Sequence, residues 1–269
     1  MRSMWLCGSV VAAFAASGAL AADPPLAPTI YKAPPPVRQP TAWTGLYVGL
    51  NAGYGWGTQA VKETGDIATG GQLAINAGAI PASVAGGPSG FVGGGQIGFN
   101  YQVNTVVLGI ETDWQWTNLV ANQTVSTNVA TFNQFTTNAQ QNVEFFGTAR
   151  GRLGFTPVQP VLLYVTGGLA YGEVKLSGSI TNPACVGFCG ATSTTNVQTG
   201  WTAGGGLEYA FAPNWSAKIE YLYYDLGTVS QSILDPRTPA AFVAQSVDFR
   251  GNIVRAGVNY KFFGDESDY

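Results

Sequence analysis

The residues Val106-Val107-Leu108-Gly109-Ile110-Glu111-Thr112-Asp113-Trp114-Gln115-Trp116 sort themselves by parity. Val106, Leu108, Ile110, Thr112, Trp114 and Trp116 fall on one face of an extended chain. Gly109, Glu111, Asp113 and Gln115 fall on the other. A period of two belongs to a strand, whereas a helix would put Glu111 and Trp114 on one face. About ten residues, tilted, carry a strand across a bilayer.

Seven further segments repeat the pattern. Leu46, Val48, Leu50, Ala52, Tyr54 and Trp56 oppose Tyr47, Gly49, Asn51, Gly53 and Gly55. Ile97, Phe99 and Tyr101 oppose Gln96, Gly98, Asn100 and Gln102. Phe145, Ala149, Leu153 and Phe155 oppose Thr148, Arg150, Arg152 and Gly154. The second half adds alternating segments at 163–172, 201–211, 216–224 and 254–262. The connections also alternate. Those near 57–89, 118–142, 177–197 and 227–248 are long and rich in Thr, Asn, Gln, Gly and Ser; those near 103–105, 156–161 and 212–214 are tight, with Pro157, Pro160 and Pro213 as turn formers. Long loops at one end and short turns at the other mark outer-membrane barrels. The prediction for 43–262 is an all-β, eight-stranded antiparallel up-and-down transmembrane β-barrel.

Composition agrees. Charged residues are 10% of the chain, against about 25% in soluble domains. Beyond the N-terminus no apolar run is long enough for a membrane helix. The 36 glycines and the 7 Trp, 12 Tyr and 14 Phe suit strands of alternating polarity. At the N-terminus, Arg2, the apolar run 10–20 and the small-x-small site Ala19-Leu20-Ala21 read as an export signal over 1–21. Cys7 lies inside that signal and lacks a lipobox. Prolines crowd 22–42, which is expected to be an extended periplasmic tether, and 263–269 is an acidic tail. The 12 basic residues less Arg2 leave 11 against 15 acids, a net charge of −4. That balance offers no footprint for nucleic acid.

Two observations turn the apolar face outward, toward outer-membrane lipid. The apolar rows end in aromatics, among them Trp56, Tyr101, Trp114, Trp116, Phe155, Tyr171, Phe211, Tyr223, Tyr260 and Phe262, as interfacial girdles require. The opposite face is mostly small, and eight strands enclose only enough room for side chains. Glu111, Asp113, Arg150, Arg152, Glu208, Lys218, Glu220, Arg255 and Lys261 then point inward. Confined together, these charges are expected to pair and plug the lumen, fixing strand register. The competing reading is a gated ion path or proton relay.

Six stretches carry a family resemblance. They are Trp43-Thr-Gly-Leu-Tyr-Val-Gly, Gly109-Ile-Glu-Thr-Asp-Trp-Gln-Trp and Gly147-Thr-Ala-Arg-Gly-Arg-Leu-Gly-Phe in the first half. Gly200-Trp-Thr-Ala-Gly-Gly-Gly-Leu-Glu-Tyr-Ala-Phe, Trp215-Ser-Ala-Lys-Ile-Glu-Tyr-Leu-Tyr-Tyr-Asp-Leu-Gly and Arg255-Ala-Gly-Val-Asn-Tyr-Lys-Phe complete the set. Together they resemble the small alphaproteobacterial outer-membrane proteins of the immunogenic, porin-family type, which group with OmpA-like transmembrane barrels. The resemblance covers 43–262. It implies a surface barrel in the cell outer membrane with a structural or porin-like role, and it brings no catalytic residues to carry over. There are two departures. No peptidoglycan-binding domain follows the last strand, so wall tethering is not implied. After Phe262 comes Phe263-Gly-Asp-Glu-Ser-Asp-Tyr269, which leaves assembly recognition to Tyr260-x-Phe262 or to Tyr269.

Cys185 and Cys189, in an oxidising compartment, are expected to form a loop disulfide. With no histidine anywhere they make a poor metal site, and no haem ligand set exists either. The missing histidines also remove the Ser-His-Asp and His-Asp chemistries on which barrel enzymes rely. The sequence therefore predicts no enzyme, cofactor or metal. It predicts a barrel with a structural role, its long loops available to external partners and a monomer favoured though the sequence does not set the oligomeric state; the alternative is a narrow porin for small solutes or ions.

Overall fold

Alternation carries most of the strands well past the ten or so residues that a bilayer needs. A computed structural model describes residues 43–57, 59–65, 71–129, 133–183 and 188–262, all within one unit spanning 40–269. The expected signal (1–21), tether (22–42), tail (263–269) and Cys185 lie outside the described residues. The wall consists of β1 (Gly45–Gly57), β4 (Ser89–Val103), β5 (Val106–Val129), β6 (Asn133–Phe155), β7 (Val161–Thr181), β8 (Gly190–Ala212), β9 (Trp215–Asp235) and β10 (Thr238–Lys261). Between β1 and β4 the chain forms β2 (Val61–Gly65), a short helix α1 (Gly71–Asn76) and β3 (Ser83–Val84). Each wall strand pairs antiparallel with the next, and β1 closes the ring against β10, with Ala52 opposite Ala256. β2 and β3 add to the upper part of β10, making ten strands in one sheet. At the short-turn end Val103 pairs with Val106 across Asn104, whose φ of 55° is one that Asn tolerates better than most residues.

β5 alone has 24 residues. At about 3.3 Å per residue and a tilt near 40° it rises roughly 60 Å, more than twice the apolar band of about 25 Å. The expected loops at 118–142, 177–197 and 227–248 are therefore mostly wall. Their polarity marks them as loops in the sequence, yet Thr and Val recur at every second place and supply strand propensity, while the outward polar side chains face water. The connection at 57–89 differs, since it carries β2, α1 and β3.

Parity is kept along β5, but polarity inverts. Below Gln115, Ile110 and Trp114 point out while Glu111 and Asp113 point in; above it, Asn122 and Thr124 point out while Leu119 and Ala121 are buried inside. On β6 and β9 the inner face also turns from charged to apolar, from Arg150 to Val143 and Phe135 and from Lys218 to Leu226 and Ile233, but there the parity slips by one, near Phe145 and between Asp225 and Thr228. The inversion falls at an aromatic girdle. Trp114 stacks on Phe145 with ring centroids 4.2 Å apart, and Trp201 meets Tyr223 at 5.3 Å. A second girdle lies at the short-turn end, where Trp215 and Tyr260 are 5.0 Å apart beside Phe262. Exposed Leu50, Ile110, Val165 and Leu169 fill the band between the two.

Above the upper girdle the ring divides. Pairing of β8 with β9 stops at Trp201 and Asp225, while both strands run on with their other neighbours. Two sheets result, β5 to β8 and β9–β10–β2–β3, packed on a shared apolar core that includes Leu119, Val143, Val174, Leu226 and Val247. The sheets approach closely where Gly178 of β7 faces Gln245 of β10. A Cβ there would stand 1.9 Å from Gln245 Oε1, so a larger residue would have to push the Gln245 amide aside. Nearer the top, Ile80, Phe135, Ile180 and Ile233 form a second cluster. We call this upper section the cap.

Candidate functional site

The band between the girdles encloses a lumen filled by charge. Glu111 and Asp113 come from β5, Arg150 and Arg152 from β6, Glu208 from β8, Lys218 and Glu220 from β9, and Arg255 from β10, all of them buried. Arg150 is the hub. It bonds to Glu111, reaches Asp113 Oδ2 at 3.0 Å and donates to Glu220 Oε1 at 3.1 Å. Arg255 meets Asp113 Oδ2 at 2.7 Å and Glu220 Oε2 at 2.6 Å. Lys218 Nζ donates to Glu111 Oε2 at 3.0 Å, and Arg152 pairs with Glu208. Four acids thus meet four bases with no net charge. Removing one partner from such a buried pair typically costs about 3–5 kcal/mol, because the survivor is left uncompensated.

Neutral side chains complete the packing. Tyr47 donates to Glu111 Oε2 at 2.7 Å, and its ring occupies the space left by Gly98, where a Cβ would lie 2.4 Å from the tyrosine hydroxyl. Tyr164 donates to Glu220 Oε1 at 3.0 Å, and its ring lies 3.7 Å beneath the Arg152 guanidinium. Asn51, Gln96 and Asn259 form an amide chain that ends on Glu208 Oε1, the last bond being 2.7 Å. Sequence parity puts all of these residues on the inner face. What it does not reveal is which neutral groups the charges would recruit, because that depends on contacts across the lumen.

Lys261 is the member of the inward set that lies apart. As the last residue of β10 it sits at the barrel mouth, where register places it opposite Tyr47. There it is half-buried and lines a cavity of about 20 Å³ with Trp43 and Trp215. Of the nine charges expected to point inward, eight meet in the mid-lumen network and Lys261 lies at the rim. Cys189 is disulfide-bonded, and its backbone N–H donates to Asp235 Oδ2 at 3.4 Å. Among the described residues no group of three or more Cys, Asp or Glu side chains could hold a metal ion.

The family model for an outer membrane protein beta-barrel domain matches residues 9–262. The chain belongs to this outer-membrane β-barrel family. Its relatives in the family include the 31 kDa outer-membrane immunogenic protein of Brucella melitensis, 38% identical over 97% of this chain and 100% of the relative. The 25 kDa outer-membrane immunogenic protein of Brucella abortus is 25% identical over 97% and 99%. The 22 kDa outer membrane protein of Rhizobium leguminosarum is 30% identical over 49% and 52%. Among solved structures, this family member is similar to OprG from Pseudomonas aeruginosa, with 12% identity and a TM-score of 0.48 over 81% of this chain and 96% of that one. Neisserial surface protein A shows 15% identity and a TM-score of 0.37 over 81% and 98%. The protein is thus an outer-membrane β-barrel of alphaproteobacterial kin, and the relatives named here are called immunogenic or outer-membrane proteins rather than enzymes. In such barrels the short turns as a rule face the periplasm and the long connections face outside.

Proposed function

We propose that this barrel is a closed, non-catalytic structural protein whose outward work is done by the cap. The observation that carries the reading is the ion pair between Lys218 and Glu111, 3.0 Å long, which links strands on opposite sides of the ring. With Arg150 of β6 also reaching Glu220 on β9, and Arg255 of β10 reaching Asp113 on β5, side chains from distant walls meet in mid-lumen. A continuous water path would have to displace several buried pairs at once. The outer surface of the cap offers rows of uncharged hydrogen-bonding groups, such as Thr124 with Asn138 at 2.7 Å and Ser177 with Ser193 at 2.8 Å. Such a surface suits contact with external molecules, and the Brucella relatives are named for their immunogenicity.

Planar-bilayer recording of the refolded protein tests the closed lumen. The expected record has no reproducible openings of tens of picosiemens or more. Stable channels of that size would overturn the plug and establish the narrow porin.

A further inference from the structure

The cap interior, apolar apart from a few amides and a threonine, holds a carboxylate that meets no cation among the described residues. Glu63 on β2 is buried there, opposite Gln245 of β10. Its Oε1 accepts a hydrogen bond from Gln245 Nε2 at 3.0 Å, and Gln245 Oε1 accepts one from Gln231 Nε2 at 2.9 Å. Glu63 Oε2 has no hydrogen-bond partner among the described residues, nor does Gln231 Oε1.

Among the described residues the elements packed around this chain supply no compensating charge; α1 (Gly71–Asn76) and β3 (Ser83–Val84), which pack on β2, carry none. β10 offers Val243 and Val247 beside Gln245, and β9 offers Ile233 beside Gln231. Across the core, β7 presents Gly178 to Gln245, and β6 presents Thr137, Ala139 and Gln141, with Ala139 paired to Gly178. Lys62, the preceding residue in the chain, is exposed on the other face. Asp235, the other buried carboxylate of the cap among the described residues, is engaged by Arg237 at 2.9 Å, and Asp248 is paired with Arg250. Burial alone pushes the Glu63 carboxyl up to about 7, against a weaker pull from its bond to Gln245.

β2 is a five-residue strand anchored at its start by Val61, which is fully buried in the shared core, and at its end by Gly65 N–H, which donates to Gln72 Oε1 of α1 at 3.2 Å. Residues 62–65 pair with 243–246 of β10, Val61 and Lys62 pair with Val84 and Ser83, and Glu63 N–H donates to Ala82 O at 2.9 Å. We propose that Glu63 is a proton-operated latch for the first connection: as a neutral acid it fastens β2 into the cap, and as a carboxylate it lets β2 lift from β10. The neutral acid can donate to an acceptor and can stay dry. The anion needs water or a cation, and either one requires the cap to open. The latch is independent of whether the lumen conducts.

The sign follows from linkage. A carboxyl raised in the folded state contributes stability that is fully present below its unfolded value, near 4.5, and is lost as pH rises through about 7. Hydrogen exchange of the β2 amides in the full, lipid-reconstituted protein reads this directly. After correction for intrinsic exchange rates, protection is expected to fall about tenfold between pH 6 and pH 8.5. E63Q should hold it level. Flat protection in the wild type, or the same fall in E63Q, would overturn the latch. A wild-type-only measurement guards against a variant that does not fold: carbon-13 NMR should show a glutamate carboxyl with a midpoint near 7, and its absence would also overturn the proposal.

Discussion

Lys218 Nζ lies 3.0 Å from both carboxylate oxygens of Glu111, although β9 and β5 stand four places apart in a ring of eight. Neighbour pairing alone would satisfy Glu111 through Arg150, which sits directly opposite it on β6. That bond is present as well. Glu111 therefore ties three parts of the wall together, and the lumen is held from across its width as well as along its hairpins.

Breaking this tie from one side should cost more than removing it whole. K218M leaves Glu111 and Glu220 short of a cation and is expected to lose roughly 3–5 kcal/mol in urea unfolding from lipid vesicles. In E111Q/K218M the loss should be clearly smaller than the sum of the two single losses, since both ends of one contact are gone. Strict additivity would show that the two side chains do not act on each other.

The lipid-facing half of this architecture is legible in the sequence, because residues such as Leu50, Ile110 and Trp114 repeat at every second place and end in aromatics. The inward charges are legible by the same parity. The cap is not. Leu119 keeps the parity of Glu111 while the inner face turns apolar, whereas on β6 and β9 the parity slips by one residue, near Phe145 and between Asp225 and Thr228, before Val143 and Ile233 turn inward; a template with its apolar face outward loses the strands there. A search for continued alternation with inverted polarity would extend β5 from sequence alone; on β6 and β9 it would also have to allow a one-residue slip. The cross-lumen partner of Glu111 needs closure of the ring, and the isolation of Glu63 needs the docking of β2. No local pattern encodes either.

If the cap has its own core, cavities there should weaken it without melting the membrane section. Ile233 is fully buried in the upper cluster with Phe135 and Ile180. I233A is expected to cost about 2–5 kcal/mol, read as lost amide protection on β9 and β10 above Asp225. The heat-dependent gel shift of the folded barrel should persist. A variant that lost the gel shift together with cap protection would show that the two sections fold as one.

Chemical labelling separates wall in lipid from wall in water. In a background carrying C185S and C189S, T195C should react with a membrane-impermeant maleimide on intact cells, because Thr195 points outward from the cap on β8. L169C, exposed in the band between the girdles, should stay unlabelled until detergent is added. Ready labelling of L169C on intact cells would place the bilayer elsewhere.

The loop disulfide has a simple signature. Without reductant the mature protein should take up no alkylating reagent, and after reduction it should gain two groups by mass, at Cys185 and Cys189. Alkylation of Cys185 before reduction would break the proposed pairing.

Asp235 should impose a pH dependence of opposite sign to that of Glu63. Its hydrogen bonds from Arg237, above all, hold its carboxyl below the usual range, with the Cys189 N–H adding to the effect. A depressed carboxylate contributes stability that is present above its unfolded value, near 3.8, and lost as pH falls through the folded one. The Cys189 end of the loop should therefore loosen in acid, below about pH 4, where a neutral Glu63 holds β2 most firmly. Amide exchange at 188–190 measured at pH 5 and pH 3 should show protection dropping in the wild type and little further change in D235N. The bond partners are partly exposed, so the effect should be modest and should weaken with salt. Because the two carboxylates lie in different connections, acid should release one end of the cap while fastening the other. A single concerted opening of both regions at either pH would contradict the separate assignments.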